Sequence, residues 1–366
     1  MKFKAAVLRE VHTPLSIEEV EADLRAPDDV VVRIRATSLC HTDLEVIEGQ
    51  LVYPLPIVLG HEAAGTVEAV GPAVTGLVPG DHVVLSWNPH CGHCFYCTQD
   101  QPILCETYLK LGPQAVPFDG TPRLSQGGRP LHHMFYLASF AEYAVVPAQS
   151  AIKITKEIPF DRACLIGCGV MTGAGAALKV ARPAPGATVA VLGCGGVGLS
   201  AVQGARIAGA GDVIAVDPVA AKRELAAKLG ASHAIDPGRE DAAGAVKRLT
   251  GGRGADVVIE AAGTEAAFRL SVEMVRPGGE VVWLGKVAVE RDVAFRWGAL
   301  MGEKRIVRSS YGGARPAIDF PMLARLYLDG RLQLDPYVSR RISLAQINDG
   351  FAALKRGEVI RSVITF

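Results

Sequence analysis

The stretch Thr188-Val189-Ala190-Val191-Leu192-Gly193-Cys194-Gly195-Gly196-Val197-Gly198 decides the fold class. Five residues of buried-strand character run into a G-x-G-x-x-G turn, and Val197 to Ala210 reads as a helix of small residues. Alone the hexamer is weak, because a chain with 40 glycines in 366 residues yields such matches by chance. Its position between strand and helix gives it weight, since backbone N–H groups and the positive helix end can face a pyrophosphate there. The next apolar run, Val213-Ile214-Ala215-Val216-Asp217, ends on an acid about 20 residues past the turn. Such a carboxylate accepts hydrogen bonds from an adenosine ribose diol and repels a 2′-phosphate, so NAD is expected over NADP. A helix from Lys222 to Leu229 and strands at Asp256–Glu260 and Val281–Leu284 follow. Nearly all-apolar strands alternating with helices predict a doubly wound parallel sheet covered on both faces, an α/β fold.

Upstream the texture differs. Val30–Arg35, Asp81–Leu85 and Glu142–Val146 are short runs between turn signals and read as β-strands. Gly112 to Pro130, rich in Gly, Pro and Gln, reads as a long surface loop. After about residue 305 helices are expected at Ile318–Leu328 and Leu344–Leu354, with a last strand at Val363–Phe366. No repeat or low-complexity tract is visible.

Composition narrows the partners. Lys+Arg and Asp+Glu are 38 each, a balance that argues against nucleic acid or an anionic membrane as the partner. The N-terminus shows no secretory h-region, and no 18 consecutive residues are apolar, so a cytoplasmic protein with no membrane span is expected. Eight cysteines in such a chain point to metal ligation rather than disulfides. Cys91, Cys94, Cys97 and Cys105 give C-x2-C-x2-C-x7-C, four thiolates able to close a tetrahedral shell around zinc. Such a shell has no open position and serves the fold. The lobe is not basic, which disfavours a nucleic-acid finger.

Gly60-His61-Glu62-Ala63-Ala64-Gly65-Thr66-Val67, continuing through Val70-Gly71 to Pro79-Gly80-Asp81-His82-Val83, resembles the signature of zinc-containing alcohol dehydrogenases of the medium-chain dehydrogenase/reductase superfamily. The similarity runs from about residue 5 to Phe366 and takes in the cysteine lobe, the glycine turn and the Arg361-Ser-Val-Ile-Thr-Phe tail. The resemblance implies a GroES-like β-rich catalytic domain at 1–169, with its zinc lobe at about 91–105. A Rossmann NAD-binding domain at 170–305 and a return to the catalytic domain at 306–366 complete it.

It also implies a second zinc, making two per subunit, on Cys40, His61 and Cys168, with water or the substrate oxygen in the fourth position. Zinc there lowers an alcohol's pKa, so that its proton leaves near neutral pH and hydride passes to nicotinamide. Thr42 matches the hydroxyl that takes the alcohol proton, Asp43 the carboxylate that fixes His61, and Glu62 the buried carboxylate behind the metal. Thr172 and Val197 match residues lining the nicotinamide, Lys222 a ribose contact and Arg361 a pyrophosphate contact. Two positions depart from the pattern. His41 stands where many members carry Arg against the pyrophosphate, which predicts coenzyme binding that weakens as pH rises. Glu45 stands where several carry the His that ends the proton relay, and either replaces that base or leaves the relay to water.

By the same likeness Leu51, Trp87, Met134 and Phe135 line an apolar substrate channel, suited to primary alcohols and aldehydes, aromatic or medium-chain ones included. Core packing is the bland reading of each. The longer-chain branch implies a homodimer, with the apolar Val281–Val287 region at the sheet-to-sheet join. Two rival readings remain: a thiol-adduct (formaldehyde-type) dehydrogenase on the same scaffold, and a non-catalytic NAD-binding relative.

Overall fold

A computed structural model describes all 366 residues, which fall into two compact units, Gly169–Ala314 and Met1–Cys168 with Arg315–Phe366. The unit Gly169–Ala314 is built on six parallel strands. In spatial order they are His233–Ile235, Asp212–Val216, Thr188–Leu192, Ala255–Glu260, Val275–Trp283 and Arg305–Arg308. The order reverses beside Thr188–Leu192, and open sheets of this kind bind ligands outside the carboxyl ends at that reversal. Val189, Ala190, Val191 and Leu192 are all buried, as are Val213 to Val216. Helices on both faces remove any need for polar alternation, which is why these strands read as unbroken apolar runs.

Two expectations are corrected here. Arg305–Arg308 pairs in parallel with Val275–Trp283, so this unit extends to Ala314 rather than ending at 305. That pairing also places Val281 and Val282 in an interior strand, flanked by Ala255–Glu260 and Arg305–Arg308. The edge on this side of the sheet is therefore Arg305–Arg308, not the Val281–Val287 region, and His233–Ile235 forms the opposite edge.

The other unit joins a closed barrel to a seven-stranded sheet. The barrel comprises Lys2–Leu8, Ser16–Ala22, Leu124–Gln126, Arg129–His133 and Ile57–Val58. The sheet centres on Asp29–Ser38, which pairs antiparallel with Glu62–Val70, Tyr143–Pro147 and the returning strand Arg361–Thr365. The expected surface loop at 112–130 is instead partly barrel wall. Leu124 faces Leu131 across a hairpin turning at Gly127-Gly128, and both leucines are buried. A strand of three residues is too short to display period-two alternation. Arg123 anchors the hairpin, its Nε donating to Asp29 Oδ2 at 2.6 Å with both side chains buried.

A helical run from Phe160 to Ala181 crosses the boundary between the units, and the sequence reading did not anticipate it. By length and composition it could span a membrane, with mean hydropathy 1.6, yet 72% of its most apolar stretch is buried inside the protein. It is a core helix. Its hydrogen bonding widens to a π-turn at Ile166–Val170, a local irregularity common at functional sites.

Candidate metal centres

Cys40, His61 and Cys168 are far apart in sequence, and three local features bring them together. Ser38 pairs with Glu62, so Cys40 and His61 follow and precede strands that end side by side. Cys168 comes from the π-turn, and the helix meets the sheet closely at Gly167, where a Cβ would lie 2.8 Å from the Leu85 carbonyl oxygen. The Cys40, His61 and Cys168 ligand atoms and a Glu62 carboxylate oxygen all lie within 4.8 Å of one another. Cys40 is the N-cap of the helix His41–Ile47, which supplies half-buried Thr42, buried Asp43 and half-buried Glu45.

Asp43 is completely buried and organises the cluster. Its Oδ1 accepts from His61 Nδ1 at 3.0 Å and Gly60 N at 3.1 Å, and its Oδ2 accepts from Cys40 N at 3.1 Å. With the proton fixed on Nδ1, the lone pair of Nε2 is free to bind, and Nε2 is a buried atom with no protein partner. Burial pushes the Asp43 carboxyl up, while His61 draws it down. Burial disfavours charge on His61 too, but Asp43 and Cys40 outweigh it and raise its proton affinity. The Cys168 hydrogen bond and the charges of His61 and Arg361 hold the Cys40 thiol well below its ordinary value, against the effect of burial. The hydrogen bond to Cys40 and burial push Cys168 up. The pair thus favours one thiolate hydrogen-bonded to one thiol, and a cation between the sulfurs is what would let both ionise. Two sulfurs and one imidazole nitrogen with an orphaned lone pair are a donor set for zinc that leaves a fourth position open.

Glu62 is fully buried behind this cluster and is held by Arg361, with Nε to Oε2 at 3.1 Å and Nη2 to Oε1 at 3.3 Å. Arg361 Nη1 donates to the Ile360 carbonyl, and the residue is 6% exposed. Its place is therefore behind the metal ligands, where it neutralises Glu62, a task that the expected pyrophosphate contact did not include. The register Val363↔Ser38 sets this pairing, a long-range relation that local sequence does not reveal.

The second cluster is Cys91, Cys94, Cys97 and Cys105, whose sulfurs also lie within 4.8 Å of one another. Cys105 is buried, and its Sγ accepts from Cys91 N at 3.3 Å. Four sulfurs suit zinc and leave no open position.

Around His61 the surroundings are aromatic. The Phe135 ring stands edge-on to the imidazole at 5.4 Å and tilts against Trp87 at 5.2 Å, and Tyr53 meets Phe135 at 6.0 Å. Leu51, Trp87 and Phe135 are half-buried. Met134 differs from its expected role, since it is wholly buried in the core with Leu59 and Phe140 and acts as packing. Tyr53 escaped the sequence reading because nothing in its neighbours marks it.

In the unit Gly169–Ala314 the glycine turn meets its requirements. Gly193 has φ +85°, and a Cβ on Gly198 would sit 1.7 Å from the Gly193 carbonyl oxygen. Gly195 caps the helix Gly196–Ile207. Buried Asp217 Oδ2 accepts from Cys194 N at 2.7 Å and Oδ1 from Val219 N at 2.8 Å, which ties the second strand to the turn. Lys222 is half-buried on the helix Ala220–Lys228. Gly173 packs so tightly on Val197 that a Cβ would lie 2.0 Å from its carbonyl oxygen, and Thr172, half-buried, precedes it in the helix Met171–Gly175. His41 lies in the other unit, exposed at the start of its helix.

Comparison with known proteins bears on both units. A family profile described as "Alcohol dehydrogenase GroES-like domain" matches residues 26–156, and one described as "Zinc-binding dehydrogenase" matches 196–328. An NDMA-dependent alcohol dehydrogenase from Amycolatopsis methanolica is 41% identical, with 100% of this chain and 99% of the relative covered. Geraniol dehydrogenase from Castellaniella defragrans is 40% identical over 99% of this chain and 97% of its own. The crystal structure of benzyl alcohol dehydrogenase from Acinetobacter calcoaceticus superposes with a TM-score of 0.95 at 32% identity, covering 100% of this chain and 99% of that one.

Proposed function

The chain belongs to the zinc-containing alcohol dehydrogenases of the medium-chain dehydrogenase/reductase superfamily, and from that premise we propose that it interconverts primary alcohols and aldehydes with NAD as hydride acceptor. Aromatic and medium-chain alcohols are the proposed substrates. The observation that carries the reading is the convergence of Cys40, His61 and Cys168 beside Trp87 and Phe135. The names of the relatives that act on benzyl alcohol and geraniol support the substrate class. Two zinc ions per chain, one on each cluster, are part of the proposal.

Cys40, His61 and Cys168 would hold the catalytic zinc, which supplies Lewis-acid polarisation of the alcohol oxygen. Asp43 keeps His61 in the tautomer that presents Nε2. Arg361 balances the buried Glu62, so that the carboxylate's charge is met from behind the cluster. Thr42, on the first turn after Cys40, would receive the alcohol proton while passing its own hydroxyl proton onward, either to Glu45 in the same helix or to water. Trp87, Phe135 and Leu51 exclude water and align an apolar substrate. The Gly193–Gly198 turn presents its N–H groups to the pyrophosphate, and Asp217 accepts from the ribose diol.

Asp43→Asn is expected to lower zinc affinity or turnover about 10–100-fold, because the amide no longer enforces the His61 tautomer. Dialysis against a chelator, followed by zinc analysis, measures the loss; wild-type retention with wild-type turnover would refute the role given to Asp43.

The functional reading is tested with ethanol, hexanol, benzyl alcohol, geraniol and 2-propanol against NAD, NADP and NDMA as acceptors. Reduction of NAD by benzyl alcohol is the expected result. No NAD reduction by any alcohol would overturn the reading. Turnover with NDMA alone would move this chain to the acceptor named for its Amycolatopsis relative. A thiol requirement for formaldehyde oxidation would favour the thiol-adduct alternative.

The proposed partner is a second copy of the chain. Arg305–Arg308 is an unpaired sheet edge, and Val289, Trp297, Met301 and Ile306 near it in sequence are exposed apolar side chains. Ile306→Lys is expected to convert a dimer into a monomer on size-exclusion chromatography with light scattering. An unchanged dimer mass would place the interface elsewhere.

A further inference from the structure

The aromatic residues of the catalytic unit form a connected path. From His61 it runs to Phe135, then to Trp87, to Tyr108 at 6.2 Å, and on to Tyr136 at 5.6 Å. Phe118 closes the far end, edge-on to Tyr136 at 5.3 Å. Tyr108 and Tyr136 are buried in one apolar cluster with Cys105, against which the other lobe cysteines pack. The rings thus link a ligand of one metal centre to the sulfur lobe of the other.

The backbone along this path is strained. Phe135, Tyr136 and Ala138 have φ of 50°, 66° and 52°, left-handed values that side chains disfavour. Such conformations persist only where the surroundings over-determine them. Here the restraint comes through side chains: Phe135 is held by His61, Trp87 and Tyr53, and Tyr136 by Tyr108 and Phe118.

We propose that the four-cysteine lobe is the outer wall of the substrate pocket. Tyr108 and Tyr136, packed on Cys105, hold Trp87 and Phe135 beside His61 and so set how the pocket selects among alcohols. Tyr108 is then a positioning residue that touches no reacting atom and acts through Trp87. The inference rests on the alcohol dehydrogenase reading of the His61 centre. Flat aromatic alcohols, which need both rings correctly placed, are the class most affected; a two-carbon alcohol needs neither.

The test compares Tyr108→Leu with the conservative Tyr108→Phe in the zinc-loaded enzyme, with zinc measured in each. Tyr108→Leu is expected to raise KM for benzyl alcohol relative to ethanol about tenfold, with kcat changed by no more than about twofold and zinc content kept. Tyr108→Phe should keep the wild-type ratio. An equal KM change for both alcohols, or none, overturns the proposal. A second readout is independent of turnover. In a Trp283→Phe, Trp297→Phe background, Trp87 is the sole tryptophan, and its emission should shift to the red in Tyr108→Leu. An unshifted emission also overturns the proposal. If no alcohol is turned over, the functional reading fails while this optical test still judges the wall. Should Tyr108→Leu not fold, Phe118→Leu at the far end of the path replaces it, with the same direction expected and the same refutation.

Discussion

Cys40→Ala is expected to abolish alcohol oxidation and to leave the chain folded with one zinc fewer. Cys40 contributes a thiolate to the shared cluster, and its backbone N–H donates to the Asp43 carboxylate that fixes His61. The substitution keeps the N–H and removes only the sulfur, so the surrounding strand and helix have little reason to move. A Lewis acid supplies several kcal/mol of charge stabilisation in the transition state. At about 1.4 kcal/mol per decade, its loss corresponds to a fall in kcat/KM of roughly 10³–10⁵-fold. Steady-state kinetics, elemental analysis and circular dichroism check the three parts. Residual activity within about tenfold of wild type would mean that this cluster is not where the chemistry occurs.

Gly198→Val is expected to have the next largest effect, this time on coenzyme. A Cβ at Gly198 would lie 1.7 Å from the Gly193 carbonyl oxygen and 2.8 Å from its carbon, so the turn cannot close around a side chain. Gly193 N donates to Val216 O and Cys194 N to Asp217 Oδ2, so opening the turn also loosens the strand end that carries Asp217. Calorimetric titration should show NAD affinity weakened about 100-fold or more, a cost near 3 kcal/mol, as expected of an overpacked buried turn. Both zinc ions should remain, because all seven thiol and imidazole ligands lie in the other unit. Unchanged NAD affinity would remove this turn from the coenzyme site.

These two sites were legible in the sequence to different degrees, for physical reasons. The strands Thr188–Leu192 and Asp212–Val216 are buried on both faces, so their apolar runs and the glycines between are local signals that survive without any knowledge of partners. The sulfur lobe is equally local, with all four ligands between Cys91 and Cys105. The catalytic cluster is the opposite case. Cys40, His61 and Cys168 carry no mutual spacing, and only the resemblance named them. What joins them is the Ser38↔Glu62 register and a π-turn, neither of which has a sequence period. Long-range register also hid the Arg361–Glu62 pair, and the brevity of Leu124–Gln126 hid a barrel strand inside an apparent loop. At Met134 and Phe135 neighbouring apolar residues take opposite roles. The left-handed backbone at Phe135 turns one ring toward His61 while its neighbour enters the core. Pattern alone cannot separate them.

The central claim is tested most directly by locating zinc in crystals through anomalous diffraction recorded on both sides of its absorption edge. The account predicts two zinc positions per chain: one enclosed by Cys91, Cys94, Cys97 and Cys105, the other bonded to Cys40, His61 and Cys168 with no fourth protein ligand when an alcohol analogue is present. A single zinc confined to the sulfur lobe, or a second one capped by Glu62 with and without the analogue, would contradict it.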